Sequence, residues 1–155
     1  IELGLVGSEM CIRDRSMKPY VDEFVEDENH DCYLFLKPVN DPQSFGIAWI
    51  DGSGRIVNMQ EKPEASDSNL AITGLYIYTP KVYSMIDEIL ETTGYSSRGE
   101  LEITDINRLF MQKNLAKGCH FDSHWADCGT IDALLETSVL MKKWNLGPWL
   151  PQKEA

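Results

Sequence analysis

At 155 residues the chain is long enough to bury a core without disulfides or metals, and too short for more than one modest domain. A hydrophobic share of 43% beside 25% charged residues is that of a globular chain, and no apolar run approaches the ~20 residues of a membrane span. The net charge of −11 speaks against nucleic acid or an anionic membrane as partner, and four cysteines without C-x-x-C spacing read as reduced thiols, so the expected setting is cytoplasmic.

The first stretch, "IELGLVGSEMCIRDRSM", mixes glycine and charge with no period of 2 or 3.6. "LVGSEMCIRDR" resembles the translation of a transposase adaptor used in sequencing libraries. Residues 1–15 are therefore expected to be an artefact without structure, and the chain to be a fragment of a longer gene product. Residues 16–145 read as part of one domain and residues 146–155 as a tail.

From Met17 a helix is predicted, with Tyr20, Val21, Phe24 and Val25 at helical spacing. "CYLFLKPV" is a short apolar run stopped by Pro38, which predicts a buried strand. "GIAWID-GSG-RIVNMQEKP" is two alternating runs about a Gly-rich turn, a hairpin signal. "LAITGLYIY" predicts a strand from its β-branched and aromatic content, with Gly74 marking a bulge or a close backbone approach. Pro80 opens a helix that carries Val82, Met85, Ile86 and Ile89 on one face. A second helix over "ELEITDINRLFMQKN" is apolar at Ile103, Ile106, Leu109 and Phe110. "LAKGCHFD" reads as a strand, and a last helix, "IDALLETSVLMKKW", follows Thr130 as N-cap. Alternating strands and helices predict an α/β class.

"HFDSHWADCGT" places His120, Asp122, His124, Asp127 and Cys128 close together in sequence, all metal-capable types. On a strand leading into a loop, residues four apart sit roughly 13 Å from each other, so His120 and His124 cannot share one zinc ion without a sharp bend. Asp127, just before a helix entry, is the one retained. By residue type alone it is equally a cap or a charge favoured by the helix dipole.

Three stretches in order carry a resemblance: "FGIAWIDGSGRIVNMQEKPEASDSNLAITGLYIY", "SSRGELEITDINRLFMQKN" and "HWADCGTIDALLE". The pattern resembles the sugar-1-phosphate nucleotidyltransferases, and among them the glucose-1-phosphate thymidylyltransferases, whose motifs include E-K-P, T-G-(L/I)-Y, R-G-E-L-E-I-T-D and W-x-D-x-G-T. The resemblance implies the C-terminal part of a Rossmann-like nucleotide-diphospho-sugar transferase fold, a mixed sheet flanked by helices. It implies an enzyme of nucleotide-sugar and polysaccharide biosynthesis that transfers dTMP from dTTP to glucose 1-phosphate. Mg²⁺ is the implied cofactor, and a homo-oligomer the implied state. Related enzymes using UTP, CTP or GTP, and a non-catalytic sugar-phosphate-binding or oligomerisation module, are the alternatives.

Carried over by position, the resemblance assigns Gly46 to close backbone approach to the sugar and Glu61 to its hydroxyls. Lys62 and Arg98 fall to the sugar phosphate, Ile72 and Tyr76 to the sugar-site lining, and Asp127 to Mg²⁺. Strand alternation would send Glu61 and Lys62 to opposite faces, so the chain must bend near Pro63. By residue type alone, Lys62 and Arg98 read as solvated charges, Tyr76 as core, and Glu100, Glu102 and Asp105 as helix-start acids. Cys128 departs from the Thr or Ala usual in the family. No catalytic residue is assigned, because the family's G-x-G-x-R-L and G-D-N segments do not occur in these residues. The chain alone is therefore expected to be inactive as a thymidylyltransferase.

Overall fold

The computed structural model describes residues 10–13, 17–92, 94–95, 101–120, 124–128 and 131–143. In chain order they form β1 (Met10–Arg13), α1 (Lys18–Glu26), β2 (Cys32–Pro38), a 3-10 turn (Pro42–Ser44), β3 (Gly46–Ile50), β4 (Ile56–Glu61) and β5 (Leu70–Tyr78), followed by α2 (Lys81–Thr92), α3 (Ile103–Gln112), β6 (Ala116–His120), β7 (His124–Asp127) and α4 (Ile131–Lys143). Described residues from 17 to 120 make one compact unit, and β1, β7 and α4 make another, so the stretch 16–145 falls into two units.

The first unit is a mixed five-stranded sheet in the order β4-β3-β5-β2-β6, with β2 and β6 parallel and every other pairing antiparallel. β2 lies inside the sheet and is covered on both faces, which explains its unbroken apolar run: residues 32–36 are all fully buried. On one face α1 sets Tyr20 edge-on to Phe35 and Phe24 edge-on to Tyr33. Positions 20 and 24 are one turn apart, so Val25 turns outward and is 66% exposed instead of joining the predicted apolar face. On the other face, α2 supplies Met85 and Ile89 and α3 supplies Ile106 and Phe110 to a core shared with Cys32, Leu34 and Leu36.

Gly74 takes a left-handed φ of 76°, and β5 bulges there. Leu34 pairs with Tyr76 and Leu36 with Ile72, so three residues of β5 face one residue of β2. The Thr73 hydroxyl donates to the Phe35 carbonyl at 2.9 Å, giving that oxygen a partner inside the bulge. Two extra residues leave the in-and-out alternation of β5 unbroken.

The β3–β4 hairpin arches. Asp51 closes its tip, accepting from the Ser53 and Arg55 amides at 2.9 and 3.1 Å. The Gly118 amide on β6 donates to the Gly54 carbonyl at 2.9 Å. In a flat sheet β3 and β6 would stand roughly 14 Å apart, so the hairpin must curl over to make that bond. At the end of α3, Asn114 (φ 58°) and Leu115 donate back to Met111 and Phe110, a left-handed cap, and Arg55 reaches the Asn114 side chain at 3.1 Å.

Beyond α1, Asp27 accepts from the Asn29 amide at 2.8 Å, the His30 ring at 2.8 Å and the Tyr33 hydroxyl at 2.7 Å. Burial works to raise its pKa, but these donors together outweigh burial and hold the carboxyl at about 2, below its ordinary 3.8. A depressed folded-state pKa contributes stability that is present above 3.8 and lost as pH falls towards 2. Urea midpoints followed from pH 5 to pH 2 should fall across that window. Asp27→Asn should be less stable at pH 5 and show a flatter fall; an unchanged slope would refute the assignment.

In the second unit β1 pairs antiparallel with β7, Met10 opposite Asp127 and Arg13 opposite His124. Within the stretch 1–15, expected to carry no structure, residues 10–13 are a strand, and so are residues 124–127, which read as loop. Strand pairing is made by main-chain N–H and C=O groups, so it needs no side-chain pattern once an edge is open. α4 begins with Asp132 in its first turn and ends with Lys142 and Lys143, charges that suit the helix dipole. Its Ile131, Leu134, Leu135 and Val139 are exposed. Thr130, the expected cap, lies outside the described residues. Among the described residues no helix is long and apolar enough to cross a membrane.

Candidate functional site

The site is built where β3 begins, β4 ends and β5 bulges. Gly46, the first residue of β3, stands opposite Glu61, the last of β4. Side chains at paired positions lie on the same side of a sheet, and only the absence of a side chain at 46 lets the Glu61 carboxylate fold over the backbone. A Cβ at Gly46 would fall 2.9 Å from Glu61 Oε2 and 3.9 Å from Ile72 Cδ1. Two of the other residues singled out by sequence therefore lie within 4 Å of the place a side chain at 46 would occupy.

The chain turns immediately afterwards. Lys62 adopts φ 44°, in the left-handed region, and its amide donates to the Phe45 carbonyl at 3.0 Å. The bend needed to separate Glu61 from Lys62 is thus at Lys62 itself, one residue before Pro63. That conformation costs a lysine about 1–2 kcal/mol, and proline restricts the residue before it as well. Buried Pro63 and the Lys62–Phe45 hydrogen bond hold it in place. The Lys62 side chain is exposed.

Tyr76 is half-buried on the same face of β5 as Ile72, two places past the bulge. Burial pushes its hydroxyl up to about 12; the Glu61 charge acts the same way, and a hydrogen bond with the Asn107 side chain acts against both. The hydroxyl therefore stays protonated through the neutral range and can donate. Gly46, Glu61 and Ile72 come together here, Tyr76 lies on the same face of β5 as Ile72, and Lys62 follows Glu61 in the chain, so these positions offer bare backbone, an acceptor, an apolar wall, a donor and a cation. That inventory suits a polyhydroxylated ring bearing an anionic group.

Arg98 and Glu100 lie outside the described residues. Asp127 has its backbone in β7, within the other unit, and its side chain lies outside the described residues. His120 ends β6 and His124 opens β7, while Asp122 is outside the described residues. Among the described residues no three His, Cys, Asp or Glu side chains gather in a way that could hold a metal ion.

Asn107 was missed. It is 2% exposed within the packed face of α3, and its Oδ1 accepts from the Tyr78 hydroxyl at 2.5 Å. The signal was there: an asparagine falls on the same helical face as Ile103, Ile106 and Phe110, and a buried amide must be paired.

The family model described as Nucleotidyl transferase matches residues 2–143. The low-salt glycan biosynthesis nucleotidyltransferase Agl11 of Haloferax volcanii is 36% identical over 140 residues, covering 85% of this chain and 37% of that protein. A glucose-1-phosphate thymidylyltransferase of Mycolicibacterium smegmatis is 33% identical over 119 residues, covering 73% and 38%. A solved Bacillus anthracis protein, assigned as a glucose-1-phosphate thymidylyltransferase and in complex with sucrose, superposes with a TM-score of 0.75 at 33% identity, over 90% of this chain and 54% of that one. The chain thus spans under two-fifths of the length of these curated relatives. The mixed sheet flanked by helices is the Rossmann-like arrangement of these neighbours. With most of its length matched by that family model, the chain belongs to the nucleotidyl transferase family.

Proposed function

We propose that this chain supplies the sugar-phosphate site of a sugar-1-phosphate nucleotidyltransferase, an enzyme that transfers dTMP from dTTP to glucose 1-phosphate. The observation carrying this reading is the close approach at Gly46, where the Glu61 carboxylate and Ile72 both come within 4 Å of the place a Cβ would occupy. A pyranose needs that combination: acceptors for its hydroxyls, an apolar wall for its ring faces, and backbone close enough to touch. The thymidylyltransferases among the relatives favour dTTP as the nucleotide.

In the reaction, an oxygen of the sugar phosphate attacks the α-phosphorus of dTTP in line. The bond from that phosphorus to the bridging oxygen breaks, pyrophosphate leaves, and dTDP-glucose remains. Such transfer depends on positioning and charge neutralisation more than on covalent participation. Glu61 and Tyr76 orient the sugar through its hydroxyls. The Lys62 ammonium, together with Arg98, holds the attacking phosphate and offsets its charge. Asp127 offers a hard oxygen donor of the kind Mg²⁺ takes, and the ion when bound neutralises nucleotide phosphate charge. We place the enzyme in the cytoplasm, a setting that goes with its acidity and with the free thiols of Cys32 and Cys119. A G-x-G-x-R-L segment does not occur in the 155 residues, and on this reading the chain by itself forms no dTDP-glucose.

Calorimetric titration of the chain with glucose 1-phosphate tests the site. Lys62→Gly should weaken binding about 10-fold or more, the loss of a charge-assisted hydrogen bond. The same change relieves the left-handed strain at 62, so the thermal midpoint should hold or rise. Undiminished binding by Lys62→Gly would remove Lys62 from the phosphate site. No binding by the unsubstituted chain would remove the site.

A further inference from the structure

Two short segments meet at the edge of the site: "NDPQSFG", which ends in Gly46, and "EKPE", which begins at Glu61. The first is a 3-10 turn over Pro42–Ser44. The Ser44 and Phe45 amides donate to the Asp41 and Pro42 carbonyls at 3.3 Å each, and the Ser44 hydroxyl donates to the Asp41 carboxylate at 2.5 Å. A turn tied in this way directs two groups at the second segment. The Phe45 carbonyl accepts from the Lys62 amide at 3.0 Å, and Gln43 Nε2 donates to the Glu64 carbonyl at 2.9 Å. A carbonyl only accepts, so the nitrogen end of the Gln43 amide is the end that faces it.

These two bonds bracket Lys62. The Phe45 bond fixes the peptide before the Lys62 Cα. Pro63 has no N–H, so the peptide after that Cα brings no donor of its own with which to be pinned. The Gln43 bond takes hold further along, at Glu64, across the fully buried Pro63. Between the two anchors lies the residue with φ 44°, a conformation that a lysine relaxes out of unless its surroundings hold it.

We propose that Gln43 is a positioning residue for the phosphate end of the site, clamping the turn at 62–64 so that the Lys62 ammonium is presented to the sugar phosphate. The inference rests on the sugar-phosphate reading above and adds to it a residue that touches no ligand. It gives the segment 41–46 two duties, bare backbone for the sugar at Gly46 and a clamp on the phosphate-binding cation at Gln43.

A cycle of variants read by calorimetric titration separates positioning from mere support. Gln43→Ala should weaken glucose 1-phosphate binding about 3–10-fold, the loss of one neutral hydrogen bond, and inorganic phosphate binding by the same factor. Gln43 is exposed, so the thermal midpoint should stay within a few degrees of the parent. In a Lys62→Gly background the same change should cost nothing further, because glycine has no ammonium to aim and no left-handed strain to restrain. An equal factor in both backgrounds would overturn the proposal, since Gln43 would then act on the site without acting through Lys62. Parental affinity in Gln43→Ala would overturn it too. The clamp is also read without ligand: the Lys62 Cα and Cβ chemical shifts in Gln43→Ala should move from left-handed towards extended values, and unmoved shifts refute it. If those shifts move but the unsubstituted chain binds no glucose 1-phosphate, the sugar-phosphate reading falls and the phosphate role of Gln43 falls with it.

Discussion

Gly46→Ala should abolish most sugar-phosphate binding while leaving the fold almost untouched. The added methyl would sit 2.9 Å from Glu61 Oε2, too close to be tolerated, and 3.9 Å from Ile72 Cδ1, an ordinary contact. Of the two neighbours only the carboxylate must move, and it lies at the end of a flexible, exposed side chain. It can swing away at small cost to stability, but doing so takes the acceptor off the sugar and puts a methyl where the ring would lie against backbone. Losing a charged hydrogen-bond acceptor weakens glucose 1-phosphate binding by about 10–100-fold. The effect should appear in calorimetric titration with glucose 1-phosphate, with the thermal midpoint within a few degrees of the parent and inorganic phosphate binding retained. Parental affinity in Gly46→Ala would mean that the Gly46–Glu61 contact is not where sugar binds.

The largest effect on stability is expected at Gly118. A Cβ there would lie 2.7 Å from Leu36 Cδ1 and 2.8 Å from Ile50 Cγ2. Unlike the Glu61 carboxylate, these methyls have little room to yield, because Leu36 is fully buried and Ile50 packs against the core. Gly118→Ala must therefore push the β3–β4 hairpin away from β6, stretching the bond from the Gly118 amide to the Gly54 carbonyl. Overpacking of this kind costs about 1–3 kcal/mol, which corresponds to roughly 1 M in a urea midpoint for a unit of this size. Gly52→Ala is the matching control, since nothing lies within 4 Å of a Cβ at that position. Equal midpoints for the two variants would show that the arch is not fixed at Gly118.

Much of the fold is legible where periodicity is strong. The apolar faces of α2 and α3, the unbroken run of β2, and the Gly-rich hairpin turn each follow from side-chain spacing. Gly74 marks its bulge because a left-handed φ in a strand favours glycine. What was not legible has physical causes. The β1–β7 pairing is made by main-chain groups between two four-residue strands, which leave little pattern to read. The arch of the hairpin depends on a contact between Gly54 and Gly118, distant in sequence and both without side chains. Val25 looked equivalent to Phe24 until the helix packed positions 20 and 24 against the aromatic pair on β2.

The site was legible only in part, and for a different reason. By residue type, Lys62 reads as a surface charge and Tyr76 as core; each is partly that, one exposed and the other half-buried. Their grouping came with the motif resemblance, and the register of β3 against β4 supplies the geometry that residue types lack. The bend at Lys62 was required by alternation but placed near Pro63, because proline signals strain in the residue before it without saying which one absorbs the turn. Asn107 was open to notice as a polar residue on an apolar face. Its partner, Tyr78, 29 positions away on β5, was not.

The bulge in β5 has a bearing on how this strand can change in length. Because it holds two surplus residues, Ile72 and Tyr76 on either side of it share one face, while Ala71 and Ile77 share the other, buried one. Losing a single residue at Gly74 would leave an odd count and turn one side of the strand over, setting either Ile72 or Tyr76 into the wrong layer. Losing two would restore a plain ladder with every side chain still on its proper face. Insertions and deletions in this segment should therefore be tolerated in pairs and rejected singly, a parity rule that a small library of strand-length variants would reveal in which members fold.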